Sequence, residues 1–491
     1  MHEYELKFSP GPLFRVPDLS SVQPPVRAET PETVRLQATY YDTDDLRLAR
    51  SGASLRYREP EGWTVKLPIR RDDGLARDEI HVDGDPGAPP ERALDLVRST
   101  ARSAPIGVVA RLNTVRSRVV LRDEHDERVG ELVDDEVSLL DGVRLVARFR
   151  ELEVEFEESA PPALVAALVA RLRAAGAGHP DPVPKIVRAL GPRAADPPDV
   201  VAPPALDFAS TPREVVQAAI ATATARLLTH DPGVRLGVDA EAVHQARVAT
   251  RRLRSDLRTF RSVLDEEWSE SLRAELKWLG GLLGAVRDTE VLLDRLEHRL
   301  AELPTTDIDE GKQLLDSLVE RREHARAELL GAMRSERYLM LLDRLVDASR
   351  APQFAPDDEE DDDDVELADF ARKPWRKLRR AVEALGEEPT DFELHRVRIR
   401  AKRCRYAAEA IAPALGKGPA RFAKVIARLQ DTLGEHQDAV VAGIWLREHS
   451  AHAGFVAGEL AALERTAARA SRDAWPEIWA EARRRRLRRW M

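Results

Sequence analysis

Glu3-Tyr4-Glu5-Leu6-Lys7-Phe8 and Glu151-Leu152-Glu153-Val154-Glu155-Phe156 share one pattern, with charge at every second position and apolar or aromatic residues between. Successive side chains of a strand point to opposite faces, so each stretch predicts a strand with one charged and one apolar face. The alternation recurs at Leu55-Arg56-Tyr57-Arg58, Trp63-Thr64-Val65-Lys66-Leu67 and Arg116-Ser117-Arg118-Val119. Charge on one side of so many strands reverses the usual half-buried sheet. If the apolar faces pack outward against helices, the charged faces line the interior of a closed barrel. A helix is predicted at about 161–175, opened by proline and closed by glycine.

Residues 1–190 thus form one predicted domain, and the Pro/Ala-rich 191–210 a linker. From 211 to 491 alanine, leucine and arginine dominate and the periodicity turns helical, predicting an all-α bundle. That half is duplicated. His244-x-x-Arg247-x-x-x-Arg251-Arg252-x-Arg254 recurs as His395-x-x-Arg398-x-x-x-Lys402-Arg403-x-Arg405. Leu283-Gly284-x-x-x-Asp288 recurs at nearly the same offset as Leu433-Gly434-x-x-x-Asp438. The repeats, about 211–350 and 367–480, predict two related helical units packed about a pseudo-twofold, separated by an acidic loop at 355–366.

With 491 residues the chain exceeds one ordinary core, and 43% hydrophobic residues beside 33% charged ones exclude wholesale disorder. The single cysteine, Cys404, excludes a disulfide framework and a cysteine-rich metal site. No uncharged apolar run approaches the ~20 residues of a bilayer span. The first residues lack the basic and apolar segments of a secretion signal. The expectation is a soluble, cytoplasmic protein with no membrane partner. The net charge of −10 hides segregation, because eight acidic residues fall at 357–364 and six arginines crowd 483–489.

A barrel interior built from the alternating strands would set Glu3, Glu5, Glu153 and Glu155 against Lys7, Arg56, Arg58, Lys66, Arg77, Arg116 and Arg118. Buried charge of both signs is expensive unless a ligand completes the pairing. A polyanion with a divalent metal fits, since carboxylates hold Mg²⁺ or Mn²⁺ while arginine and lysine grip phosphate oxygens. One E-x-E or R-x-R pair alone is ordinarily the solvated face of a strand; the ordered set is far more specific. No Ser/His/Asp nucleophile set is evident, and in-line attack by water on a phosphoryl group needs none. Nothing in this half reads as a base-recognition pocket, which makes inorganic triphosphate the first expectation.

In that order the residues resemble the CYTH domain, the triphosphate tunnel metalloenzymes. Glu3-x-Glu5-x-Lys7 is similar to the family's opening signature, followed by Tyr40-Tyr41-Asp42-Thr43, Leu55-Arg56-Tyr57-Arg58, Lys66, Arg77-Asp78-Glu79, Arg116-Ser117-Arg118, Glu153-Val154-Glu155 and Lys185. The resemblance covers about 1–190. It implies an eight-stranded antiparallel tunnel, a Mg²⁺ or Mn²⁺ requirement and a triphosphate substrate. It implies metal ligation by Glu3, Glu5, Glu153 and Glu155, with Glu79 a weaker candidate, and a catalytic set of these four glutamates with Lys7. Lys7, Arg56, Arg58, Lys66, Arg77, Arg116, Arg118 and Lys185 would bind phosphates. His81 stands where a further acid is expected, and Lys185 lacks the serine usually before it.

At 100° per residue, His244, Arg247, Arg251, Arg254 and Arg258 fall within about 80° of one helix face. His395, Arg398, Lys402 and Arg405 repeat the stripe. Like charges three and four apart repel, and a bound polyanion would relieve them. Histidine leading a basic stripe in a duplicated helical unit resembles the CHAD domain over about 211–480. The resemblance implies a channel that binds inorganic polyphosphate without catalysis. Its ligands would be His244, Arg247, Arg251, Arg252, Arg254, Arg258, His395, Arg398, Lys402, Arg403 and Arg405. Polyphosphate granules become a candidate partner. Cys404 falls opposite Leu253 on the apolar side and reads as inert packing. The arginine-rich tail reads as a second polyanion contact or a frayed end.

The leading expectation is therefore an inorganic triphosphatase joined to a polyphosphate-binding module. The alternatives are a CYTH enzyme acting on thiamine triphosphate or ATP, and a non-catalytic polyphosphate binder. Nucleic acid is disfavoured, because few aromatics interleave with the stripe residues.

Overall fold

The computed structural model describes residues 4–491 except 12, 21, 24, 72–73, 158, 357–365 and 451–453. Glu3 and the acidic block 357–364 lie outside these residues, as do the side chains of 69–77, including Arg77. The chain divides into two compact units, Met1–Asp199 and Val200–Met491.

The first unit is a single antiparallel sheet. Its strands are β1 (Tyr4–Phe8), β2 (Arg27–Ala28), β3 (Glu32–Asp42), β4 (Ser54–Glu59) and β5 (Gly62–Arg71), then β6 (Gly74–Val82), β7 (Gly107–Arg122), β8 (Arg128–Asp141) and β9 (Arg144–Phe156). Eight follow the order β1-β9-β8-β7-β3-β4-β5-β6, and the short β2 pairs with β7. The eight-stranded antiparallel sheet is as expected, with β1 and β6 the two ends of the path. Its helices are α1 (Arg47–Arg50), α2 (Glu91–Ala101), α3 (Pro162–Ala174) and α4 (Lys185–Leu190).

Apolar residues at alternate positions decide how the faces are used. Phe8, Leu132, Leu152, Val154 and Phe156 leave one face and bury Leu164, Leu168 and Leu172 of α3. The charged residues occupy the other face, and further along the same strands that face turns apolar. There Tyr40, Leu112 and Val137 receive Ile186 and Ala189 of α4. Asp42, buried at the end of β3, accepts the N–H groups of Thr43, Leu48 and Ala49 at 2.7–2.9 Å and so holds α1. The Tyr40–Thr43 block is thus a structural joint.

The second unit is helical: α5 (Pro212–Leu236), α6 (Ala240–Thr259), α7 (Glu266–Leu300), α8 (Ile308–Arg334), α9 (Glu336–Arg350), α10 (Leu367–Glu383), α11 (Asp391–Leu415), α12 (Lys417–Glu448) and α13 (Gly454–Ala482). One core gathers α5–α9 and takes residues from α10 and α11. A second gathers α10–α13, and a third joins α7 and α8 to α12 and α13. The duplicated motifs occupy α6–α7 and α11–α12, and each leading histidine is the fifth residue of its helix. The tail is not frayed. Arg488 lies over Trp375 at 5.0 Å, and Trp490 packs edge-on to Phe422. Among the described residues no helix is long and apolar enough to cross a membrane.

Leu253 of α6 and Cys404 of α11 are both fully buried at matching places in the two repeats. Leu253→Ala is expected to cost about 2–5 kcal/mol through the cavity it leaves. Urea unfolding followed by circular dichroism measures this, and a midpoint equal to that of the native sequence would mean the core closes around the gap.

Candidate functional site

The antiparallel register puts the two E-x-E stretches side by side. Glu5 faces Glu155 and Lys7 faces Glu153 across β1 and β9, while Glu131 of β8 lies beside Glu155. Glu5, Glu153 and Glu155 each present a carboxylate oxygen within 4.8 Å of the others. Lys7 Nζ sits 2.8 Å from Glu5 and 2.7 Å from Glu153. Lys185, the first residue of α4, places Nζ 2.6 Å from Asp135, 3.2 Å from Glu151 and 3.5 Å from Glu153. Arg116 forks onto Asp135 at 2.9 and 2.7 Å.

Burial and charge then divide the carboxylates. Burial opposes ionisation of Glu153, but Lys185 and Lys7 outweigh it and hold its carboxyl well below the usual range. Burial pushes Glu151 up to about 7, with Lys185 only partly offsetting it. Both Glu151 oxygens are buried, with Lys185 3.2 Å from one and Arg188 3.8 Å from the other. Hard oxygen donors grouped this closely suit a divalent ion such as Mg²⁺ or Mn²⁺.

The remaining strands supply cations. Arg56, buried, pairs with Glu79 at 3.3 Å, and Lys66 pairs with the same carboxylate at 2.5 Å. Burial lowers the pKa of Arg58, and the guanidinium groups of Arg56 and Arg116 lower it further, so three arginines from β4 and β7 converge. Arg118 pairs with Glu131. Glu79 therefore stands with Lys66 and Arg56, apart from the Glu5–Glu153–Glu155 group. Sequence reasoning missed Asp135, Glu151 and Glu131. Asp135 hides in Asp134-Asp135-Glu136, where three acids in a row erase the alternation. Glu151 was visible in the E-x-E-x-E run.

In the helical unit the two stripes meet, since α6 packs against α11. Lys402 shows it best. Burial depresses its ammonium pKa, and Arg251, Arg398, Arg247 and Arg405 depress it further, to about 7. Arg251 donates to Tyr406 Oη at 2.7 Å. The Gly-x-x-x-Asp motif explains itself here. Arg247 pairs with Asp288 at 2.8 Å and Arg398 with Asp438 at 4.0 Å. The glycine one turn earlier makes room for the arginine, and a Cβ on Gly434 would lie 3.2 Å from the Arg398 guanidinium. His244 and His395 both have depressed pKa values, first through burial and then through neighbouring arginines. His395 Nδ1 and the Nε atoms of Arg398 and Arg405 are buried without hydrogen bonds.

The structure splits the rest of the stripe. Arg252 is tied to Asp256 at 3.0 Å and to Glu409, a strut between α6 and α11. Arg403 instead faces Arg258, Arg400 and Arg273, and Arg254 also faces Arg273. Lys377 joins this second basic group beside Lys373, Arg258, Arg261 and Arg403. Residues from α7 and α10 were missed because they lie outside the duplicated motif.

The CYTH domain matches residues 1–184, and the CHAD domain matches residues 218–447. Two Mycobacterium tuberculosis proteins are each 32% identical over 473 residues, covering 91% of this chain and 88% of their own length. They are the uncharacterized proteins MT2285 of strain CDC 1551 / Oshkosh and Rv2226 of strain ATCC 25618 / H37Rv. Among solved structures, PptA from Streptomyces chartreusis is 24% identical, with a TM-score of 0.47 over 55% of this chain and 100% of that one. The CHAD domain from the plant Ricinus communis is 27% identical, with a TM-score of 0.42 over 55% of this chain and 95% of that one.

The crowding at Lys402 has a signed consequence. Its ordinary pKa of 10.5 falls to about 7 on folding. Folding therefore expels a proton between those values, so stability rises with pH across that window and the full penalty stands below about pH 7. Lys402→Met removes the penalty. Its urea midpoint is expected above that of the native sequence at pH 6, with the difference shrinking toward pH 9. An equal or lower midpoint at pH 6 would show that the ammonium is not under strain.

Proposed function

Since this chain belongs to the proteins that join a CYTH domain to a CHAD domain, we propose that its first unit hydrolyses a triphosphate, foremost inorganic triphosphate, and that its second binds inorganic polyphosphate. The observation that carries the first half is the group Glu5, Glu153 and Glu155, all within 4.8 Å, in a sheet whose other strands supply arginine and lysine. Those carboxylates would hold Mg²⁺ or Mn²⁺, an ion whose chemistry is to neutralise charge on the phosphoryl group and lower the pKa of a bound water. Glu3 is assigned to the same ligand set from its place in the signature, and Arg77 to the phosphate-binding set.

Arg56, Arg58, Arg116 and Arg118 bind phosphate oxygens in this reading, as guanidinium forks do. Lys7, Lys66 and Lys185 now lie against carboxylates and are positioned to turn to the substrate's oxygens when it enters. Glu79 orients Lys66 and Arg56. The substrate is thus held extended, its terminal phosphorus open to in-line attack by water.

The second half rests on the convergence of Arg247, Arg251, Arg398, Lys402 and Arg405 at one place. Asp288, Asp438 and Glu409 pair with three of the arginines, yet the positive field at Lys402 persists, and a polyanion would relieve it. His244 and His395 sit at the head of each stripe as further donors. Polyphosphate granules follow as the partner to test.

Phosphate release from tripolyphosphate, ATP and thiamine triphosphate, with Mg²⁺ or Mn²⁺, ranks the substrates. Glu5→Ala and Glu155→Ala are each expected to lower the rate by about 10²-fold or more, in line with losing a group that stabilises transition-state charge. Full activity in both folded variants would place the metal elsewhere.

Charge reversal at Arg251 and Lys402, to glutamate, is expected to abolish polyphosphate binding by the full chain. Native affinity should fall steeply with salt as counterions are released. Duplex DNA should bind more weakly than polyphosphate at matched salt. Equal affinities would reduce the stripe to generic anion binding.

A further inference from the structure

Against the basic stripe lies a pocket of about 610 Å³, bounded by α5, α6, α11 and α12 and by Pro203, Pro204 and Leu206 of the segment before α5. That volume is in the range of small-molecule sites. Its floor is apolar, formed by Ala219, Ala223, Val248, Ala249, Ala410 and Pro413. Its basic residues are Arg226, Arg251, Arg252 and Arg405, with His244 beside them. Tyr406 fixes two of them, with the Arg251 and Arg405 guanidinium groups 5.7 and 5.0 Å from its ring. An inorganic phosphate chain would satisfy the cations and leave the floor uncovered.

One buried polar group also lacks a partner. Gln430 lines the pocket and is only 8% exposed. Its amide nitrogen reaches Asp431 at 3.4 Å, but its carbonyl oxygen accepts no hydrogen bond. A buried acceptor left empty is costly, and a ligand N–H would fill it. Of the acids present, Glu409 pairs with Arg252 and Arg405, whereas Arg226 and Arg251 make no ion pair among the described residues, and Asp431 is exposed.

We propose that this pocket binds a nucleoside polyphosphate whose base carries an exocyclic amine, an adenine nucleotide being the simplest. The base covers the apolar floor with its amine toward Gln430, and Asp431 accepts from the sugar hydroxyls. The phosphates lie on Arg251, Arg405 and His244. Nucleotide and polyphosphate then share these cations and compete. The proposal rests on the stripe being a phosphate site and adds an organic ligand to it.

The test uses the full chain in EDTA, so that hydrolysis does not intervene. Photolabelling with 8-azido-ATP and mass spectrometry should mark peptides of α5, α6, α11 or α12. Calorimetry should show ATP binding up to about tenfold more tightly than inosine triphosphate, which lacks the amine, as one hydrogen bond allows. Ala219→Trp fills the floor and should weaken ATP at least tenfold while long-chain polyphosphate binds as before. Thr222→Trp, at an exposed lining position, is the second variant if the first fails to fold. Gln430→Leu should erase the preference for ATP over inosine triphosphate. Labelling confined to residues 4–199, or native ATP affinity in a folded Trp variant, would overturn the pocket while polyphosphate binding left the stripe standing. Loss of polyphosphate binding with the ATP label in place would instead sink the stripe reading.

Discussion

Glu153 is the group on which the first unit turns. Its carboxylate is buried between two lysines, and removing either would strand a charge away from water. Lys7 comes from the first strand and Lys185 from a helix that follows the last strand of the sheet. One anion thus ties the beginning and end of the unit to its centre. Around it Asp135, Glu151, Arg116 and Lys7 form a lattice in which most charges have an opposite neighbour. Arg188 extends that lattice, reaching Glu151 at 3.8 Å and Asp181 at 2.8 Å.

The helical unit meets the reverse condition. Four arginines, three of them ion-paired, converge on a buried lysine, whose proton is easily lost as a result. Both units therefore gather cations, but by different physics. In the sheet an incoming anion has to displace existing ion pairs. In the helices a ligand relieves repulsion already present, which favours any sufficiently dense anion. Selectivity there has to come from shape, and the apolar pocket beside the stripe is where shape is available.

Much of this was legible in the sequence because the charged residues obey simple periods. Alternation by two revealed Glu5, Lys7, Glu153, Glu155, Arg56, Arg58 and Arg116, and spacing by three and four revealed both stripes. What stayed hidden depends on tertiary contact. Asp135 sits in an acidic run without alternation, and its role appears only when β7 and Lys185 close over it. Arg252 obeys the motif yet is spent on Asp256 and Glu409, because its helix neighbour α11 supplies an acid that periodicity cannot foresee. Arg273 and Lys377 belong to other helices altogether. Glu79 follows a glutamate-bearing motif, but the register of β5 and β6 hands it to Lys66.

The repeats also differ where their motifs agree. Arg247 is held by Asp288 at 2.8 Å, whereas Arg398 stands 4.0 Å from Asp438. The second arginine is the less tightly paired of the two, and a Cβ on Gly434 would come within 3.2 Å of it, against 3.9 Å for a Cβ on Gly284 and the first. A linear phosphate polymer reads the same from either end, but these two arginine positions do not. A polymer laid across both would therefore be held unequally at its two ends, however symmetric the polymer itself.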